Sequence, residues 1–177
     1  MKKLILAISF LIVLNCGSTK TEKPVKIKTF ETEELTVSYP SSWIKTGGIG
    51  YIYFIPKIIK KSTFENEVEN VSVNKHFIPI NSSDEIERVL KKYANTKTRN
   101  ELSKSFQLIK LTSSSKFIYK IESLITYNFT SETYKREEYF LKKSGKLEYF
   151  TYQMRETLFE KYHDDAMLII NSIQEKN

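Results

Sequence analysis

One cysteine stands in 177 residues, Cys16, and its place bounds what the rest of the chain can be. A single thiol permits no intrachain disulfide and no thiolate metal cage, so a globular part must be held by a hydrophobic core. Before Cys16 come Lys2 and Lys3, an apolar run over residues 4–14 broken only by Ser9, and then Asn15. A charged start followed by a short apolar stretch has the form of a secretory signal. It is too short for a bilayer-spanning helix, which needs about 20 residues, and a continuous apolar run lacks the polar face of an amphipathic helix.

Val13-Leu14-Asn15-Cys16 resembles a lipobox, at which a lipoprotein signal peptide is cut, although Asn15 is bulkier than the usual small residue before the cysteine. The expectation is removal of residues 1–15 and lipid attachment at Cys16, which makes the bilayer the first partner. Several acyl chains on one residue anchor far more firmly than the marginal hold of one. Losing Lys2 and Lys3 lowers the formal charge from +7 to +5, a mild excess that suits anionic headgroups. Nucleic acid is not an expected partner of an exported chain. Gly17 and Ser18 carry no acidic retention signal, which leans toward the outer membrane of a two-membrane cell. Residues 16–29 are rich in Ser, Thr and Lys without apolar periodicity and are expected to form a tether. Residues 30–177 are enough for one globular domain with its own core.

Within that domain the hydrophobic period changes several times. Residues 34–39 alternate as a strand, Pro40-Ser41-Ser42 turns the chain before Trp43, residues 47–50 read as a glycine-rich loop, and residues 51–55 read as a second strand. Residues 70–77 alternate again, with Val71, Val73, Lys75 and Phe77 on one side and His76 on the other. Ser82 and Glu85 have capping-box spacing, and Ile86, Val89, Leu90 and Tyr93 then recur at helical period. Strands are expected over 106–111, 117–129, 134–142 and 146–155, the last two joined by a hairpin at Ser144-Gly145. A final helix from Glu156 aligns Phe159, Tyr162, Ala166, Ile169, Ile170 and Ile173. The order predicts an α+β fold with helices on a mainly antiparallel sheet.

The Tyr39-Pro40 strand end followed by Trp43, the Asn70-Val71-Ser72-Val73 strand before a helix, the long hairpin and the ending Ile169-Ile170-Asn171-Ser172-Ile173 together resemble the PsbP-like family. That family includes the extrinsic PsbP protein of photosystem II and exported bacterial lipoproteins. The resemblance implies an α/β/α sandwich and non-enzymatic binding or assembly work. It carries no functional residue onto this chain, because its motifs are structural.

Chemistry-bearing residues are few. Glu156, Glu160 and His163 follow at i, i+4 and i+7 beside Asp164 and Asp165, a spacing used in carboxylate metal sites only when matching helices face it; a solvated helix shoulder with an i, i+3 pair is the expectation. His76 is expected to be an exposed or half-exposed strand residue. The chain has no Gly-x-Ser-x-Gly elbow and no His-Glu-x-x-His pair, and Gly47-Gly48-Ile49-Gly50 lacks the Lys-Ser/Thr of a phosphate loop. Interleaved Tyr and Lys over 134–152 suit strands and a protein or glycan contact surface. Ile55-Pro56-Lys57-Ile58-Ile59-Lys60-Lys61 could touch lipid or a partner, with an ordinary loop as the expectation. The function expected is a membrane-anchored, non-catalytic binding or assembly module of the cell envelope, with no cofactor, no catalytic residue and an unidentified envelope protein as partner. A small-ligand or divalent-metal-binding lipoprotein is the alternative, and an enzyme comes third.

Overall fold

The computed structural model describes residues 25–47, 52–57, 69–81, 85–100, 103–127 and 131–176. Residues 1–24, which hold the expected signal peptide, Cys16 and most of the expected tether, lie outside the described residues, as do Ser82 and residues 48–50 and 58–61.

β1 (Ile27–Glu31), β2 (Leu35–Pro40), β3 (Trp43–Thr46), β4 (Tyr53–Pro56) and β5 (Asn70–Pro79) precede helix α1 (Ile86–Asn100). There follow β6 (Ser103–Lys110), β7 (Tyr119–Thr126), β8 (Thr133–Lys143), β9 (Lys146–Arg155), helix α2 (Glu156–Ser172) and β10 (Gln174–Glu175). The strands form two sheets, ordered β1-β2-β10 and β3-β4-β5-β9-β8-β7-β6. Every pairing among the described residues is antiparallel.

The hairpin at the centre of the larger sheet follows from local chemistry. Lys143 and Lys146 face each other across Ser144-Gly145, and Gly145 takes φ +70°, a left-handed conformation open to glycine at little cost. The two like charges are reconciled by Glu148, whose carboxylate takes Lys143 at 3.1 Å and Lys146 at 2.7 Å.

Successive residues of β9 point to opposite faces, and each face has its own core. Phe150, Tyr152 and Met154 meet Phe159, Tyr162, Ala166, Ile169 and Ile170 of α2, with Leu35 and Val37 of the small sheet closing that layer. Leu147 and Tyr149 point the other way, where Leu90 and Ala94 of α1 pack with Ile121 and Phe140. The expected α+β class is found, with a helix on each face of an antiparallel sheet. The stripe Ile86, Val89, Leu90 and Tyr93 does face the core.

Helix α2 has no basic residue in its last turn. Its terminal carbonyls are met from the β6–β7 loop, where the Lys116 ammonium donates to the carbonyls of Ile170, Asn171 and Ile173 at 2.9, 3.0 and 3.1 Å, satisfying groups that a helix end leaves open. Ser172 ties the same end to β2: its Oγ accepts the Ser38 amide at 2.9 Å and lies 2.9 Å from the Ser38 carbonyl. Near mid-helix, Trp43 is fully buried, donates from Nε1 to Asp165 at 2.8 Å and meets Tyr162 edge to face.

Three expectations change. β1 begins at Ile27, inside the stretch read as tether, because residues 27–31 pair along β2 from Pro40 to Thr36. Trp43 opens a strand rather than merely ending a turn, since residues 43–46 pair with β4. The last residues add β10 to the far edge of β2, so there is a second small sheet where one was expected.

Candidate functional site

The face of the larger sheet beneath α1 is divided in character. Its hairpin half is apolar, built on Leu90, Ile121, Phe140 and Leu147. The other half is polar yet buried: cross-strand register sets Asn70 beside Gln153 and Gln153 beside Arg136, and sets Ser72 beside Thr151. Asn70, Ser72, Arg136 and Gln153 are all less than a tenth exposed. They line a concave basin of about 190 Å³ that also takes in Tyr53, His76, Lys97, Tyr127, Tyr149 and Thr151. Buried polar side chains carry more information than exposed apolar ones, and four of them meet here.

Hydrogen bonds order the floor of the basin. Arg136 donates from Nε to Gln153 Oε1 at 2.6 Å and from Nη2 to the Tyr127 hydroxyl at 3.2 Å, and Gln153 Nε2 donates to that hydroxyl at 2.9 Å. On the helix side, Glu138 is 1% exposed and accepts from Lys97 at 2.6 Å and from the Tyr93 hydroxyl at 2.8 Å. The Lys97 ammonium also lies over the rings of Tyr93 and Tyr149. His76 stacks on Tyr149, with centroids 5.2 Å apart and planes 20° from parallel. Burial, and then the Lys97 charge, lowers the His76 pKa against the opposing pull of Glu138, so its imidazole is neutral at pH 7. The basin thus offers amide, hydroxyl and imidazole groups around aromatic rings in a space worth about six waters at ~30 Å³ each. It is smaller than the ~300 Å³ and upward of drug-sized ligand pockets.

The residues singled out on the last helix are not brought together. Glu160 is exposed and pairs with Lys135 at 3.2 Å, Asp164 is fully exposed, and Asp165 serves Trp43. His163 turns inward, its Nε2 3.1 Å from Glu137 Oε2. Among the described residues no three His, Cys, Asp or Glu side chains come together as a metal would require. His76 is half-buried, within the expected range, but it lines a cavity. Ile55 is buried and Lys57 exposed in the basic-apolar segment.

Sequence reasoning passed over Arg136, Gln153 and Asn70 because polar residues in phase on a strand read as a solvent face. One signal could have found them: a central strand with a helix on each side has no solvent face. Opposite the basin, on the α2 face, Glu137 is 2% exposed and accepts from Tyr139 at 2.5 Å and Lys120 at 3.0 Å as well as meeting His163. Burial raises its pKa, but the hydrogen bonds from His163, Tyr139 and Lys120 outweigh that and bring it down to about 2. This network joins α2 to β7 and β8.

The fold and the basin together describe an α+β sandwich with a small polar cavity under its first helix. No protein-family model matches the chain, and no curated protein matches it. Among solved structures, it is similar to the solution structure of cyanobacterial PsbP (CyanoP) from Synechocystis sp. PCC 6803, with 14% identity, a TM-score of 0.47 and coverage of 91% of this chain and 99% of that one. Identity at that level carries nothing across about ligands or partners. No helix among the described residues is long and apolar enough to cross a membrane.

Proposed function

We propose that this chain is an exported lipoprotein, anchored through Cys16 to a bacterial cell-envelope membrane, that acts without catalysis by holding a small polar ligand in the basin beneath α1. The observation that carries the reading is the basin itself, where four buried polar side chains line a cavity on a sheet face whose other half is apolar. A cavity walled by hydrogen-bonding side chains that are already held in place is the arrangement that orients a small polar guest. Metal binding is the weaker branch of this reading, since Glu160 and His163 engage different partners. An enzyme is weaker again: His76 is a shifted base in a polar cavity, but its ring is committed to a stack on Tyr149.

The test is native mass spectrometry of the protein released gently from its membrane. A reproducible low-mass adduct is expected, and it should be lost from Gln153→Leu, which removes the amide shared by Arg136 and Tyr127. A wild-type protein with no adduct that turns over small substrates would overturn the proposal. Cys16→Ala tests the anchor separately and should abolish both the lipid mass and membrane fractionation.

A further inference from the structure

The described chain begins with two exposed apolar side chains, Val25 at 57% and Ile27 at 47%, alternating with exposed Lys26 and Lys28. Hydrogen bonds place more of the fold beside them. The Ser41 amide donates to the Lys26 carbonyl at 2.6 Å, and the Lys57 amide donates to the Ser42 carbonyl at 2.9 Å. Lys26, the turn at 41–42 and the exposed Lys57 thus share one end of the molecule, at the Pro40 end of β2. At the other end of β2, Leu35 pairs with Glu175, which forms an ion pair with Lys143 of the β8–β9 hairpin. The two basic regions are therefore separated by roughly the length of β2, about 17 Å at ~3.3 Å per residue.

Their charges are in different states. Lys143 and Lys146 of the hairpin are neutralised by Glu148 and Glu175, which leaves Lys142 as the hairpin lysine with no ion pair among the described residues. Lys26, Lys28 and Lys57 form no ion pair among the described residues, so their charge is available to an outside surface. Position selects the surface: Cys16 stands nine residues before Val25, so an anchored chain holds this end within about 30 Å of the bilayer even when fully extended. A tether of that length raises the local concentration of the face at the lipid, and individually weak attractions to anionic headgroups then suffice.

We infer that Val25, Lys26, Ile27, Lys28 and Lys57 form a face that rests on the anionic headgroups of the membrane in which Cys16 is anchored, with the β8–β9 hairpin turned away from it. This rests on the lipid-anchor reading above. Apolar side chains enter the headgroup boundary while lysines stay among the phosphates, the division of labour used by interfacial segments.

The experiment uses the full-length acylated protein in vesicles of phosphatidylethanolamine and phosphatidylglycerol, with a single fluorophore on Lys57→Cys or, separately, Lys142→Cys; Cys16 is blocked by its own lipid. Headgroup spin-labelled lipid is expected to quench the label at 57 several-fold more than the label at 142. High salt, or Lys26→Glu with Lys28→Glu, should remove that difference while the protein still floats with the vesicles. Equal quenching at both positions, or stronger quenching at 142, in protein that floats would overturn the lipid-facing surface and leave the anchor standing. Protein that does not float would overturn the anchor, and the inference with it.

Discussion

Lys116 reaches from a loop to three carbonyls at the end of α2, so its removal strips the ammonium from all three and leaves Ile170 only the long bond from the Ile173 amide at 3.4 Å. Lys116→Met keeps the aliphatic stem and is expected to lower stability by about 2 kcal/mol, the usual scale for hydrogen bonds to a charged group, as read by urea unfolding. His163 and Glu137 give a pH signature. The hydrogen bond with Glu137 raises the His163 pKa despite opposing desolvation. The pair therefore stabilises fully below the unfolded histidine value of 6.5, and that contribution is lost as pH rises through the higher folded value. For Glu137 the folded pKa is depressed, so its contribution is present above 4.5 and is lost as pH falls toward about 2. Stability from this pair is greatest between pH 4.5 and 6.5. His163→Gln should flatten the loss on the alkaline side, and a denaturation series from pH 5 to about pH 9 checks it.

Elements with a strong period were legible from the residues alone. The α2 stripe from Phe159 to Ile170 and the α1 stripe at Leu90 face the cores as their spacing requires, and the hairpin turns at Gly145 as its dipeptide suggests. β10 could not be read this way, because two residues carry no period; it exists only because β2 has a free edge beside the end of α2. β1 was hidden for a related reason, since Ile27, Lys28 and Thr29 have the composition of a tether and become a strand through pairing alone. The basin was the least visible feature, as it arises from four strands, the residue after β7 and a helix, all far apart in sequence. At Gly145 the consequence is local: a Cβ at this position would meet nothing within 4 Å, so Gly145→Ala should cost only backbone strain, roughly 1 kcal/mol. Calorimetry would measure it, and Gly145→Asn should cost less, because asparagine tolerates this conformation.

On the scale of the whole molecule, the small sheet depends on the last few residues. Deleting residues 174–177 removes β10 and the ion pair of Glu175 with Lys143. Amides of Leu35 and Thr36 should then exchange faster with solvent, and a loss near 1 kcal/mol would lower the melting temperature by about 2–4 °C for a domain of this size. Unchanged exchange in β2 would show that α2 alone holds that strand. The pairing of β2 with β10, and of Ser38 with Ser172 across 134 residues, also has a meaning in time. β2 leaves the ribosome early, yet its neighbour on one side, β10, is made much later. Long-range pairing of this kind is slow to form, so the small sheet is completed only after residues 174–175 have been made. On the export proposed above, delayed closure of the small sheet keeps the leading part slack during passage.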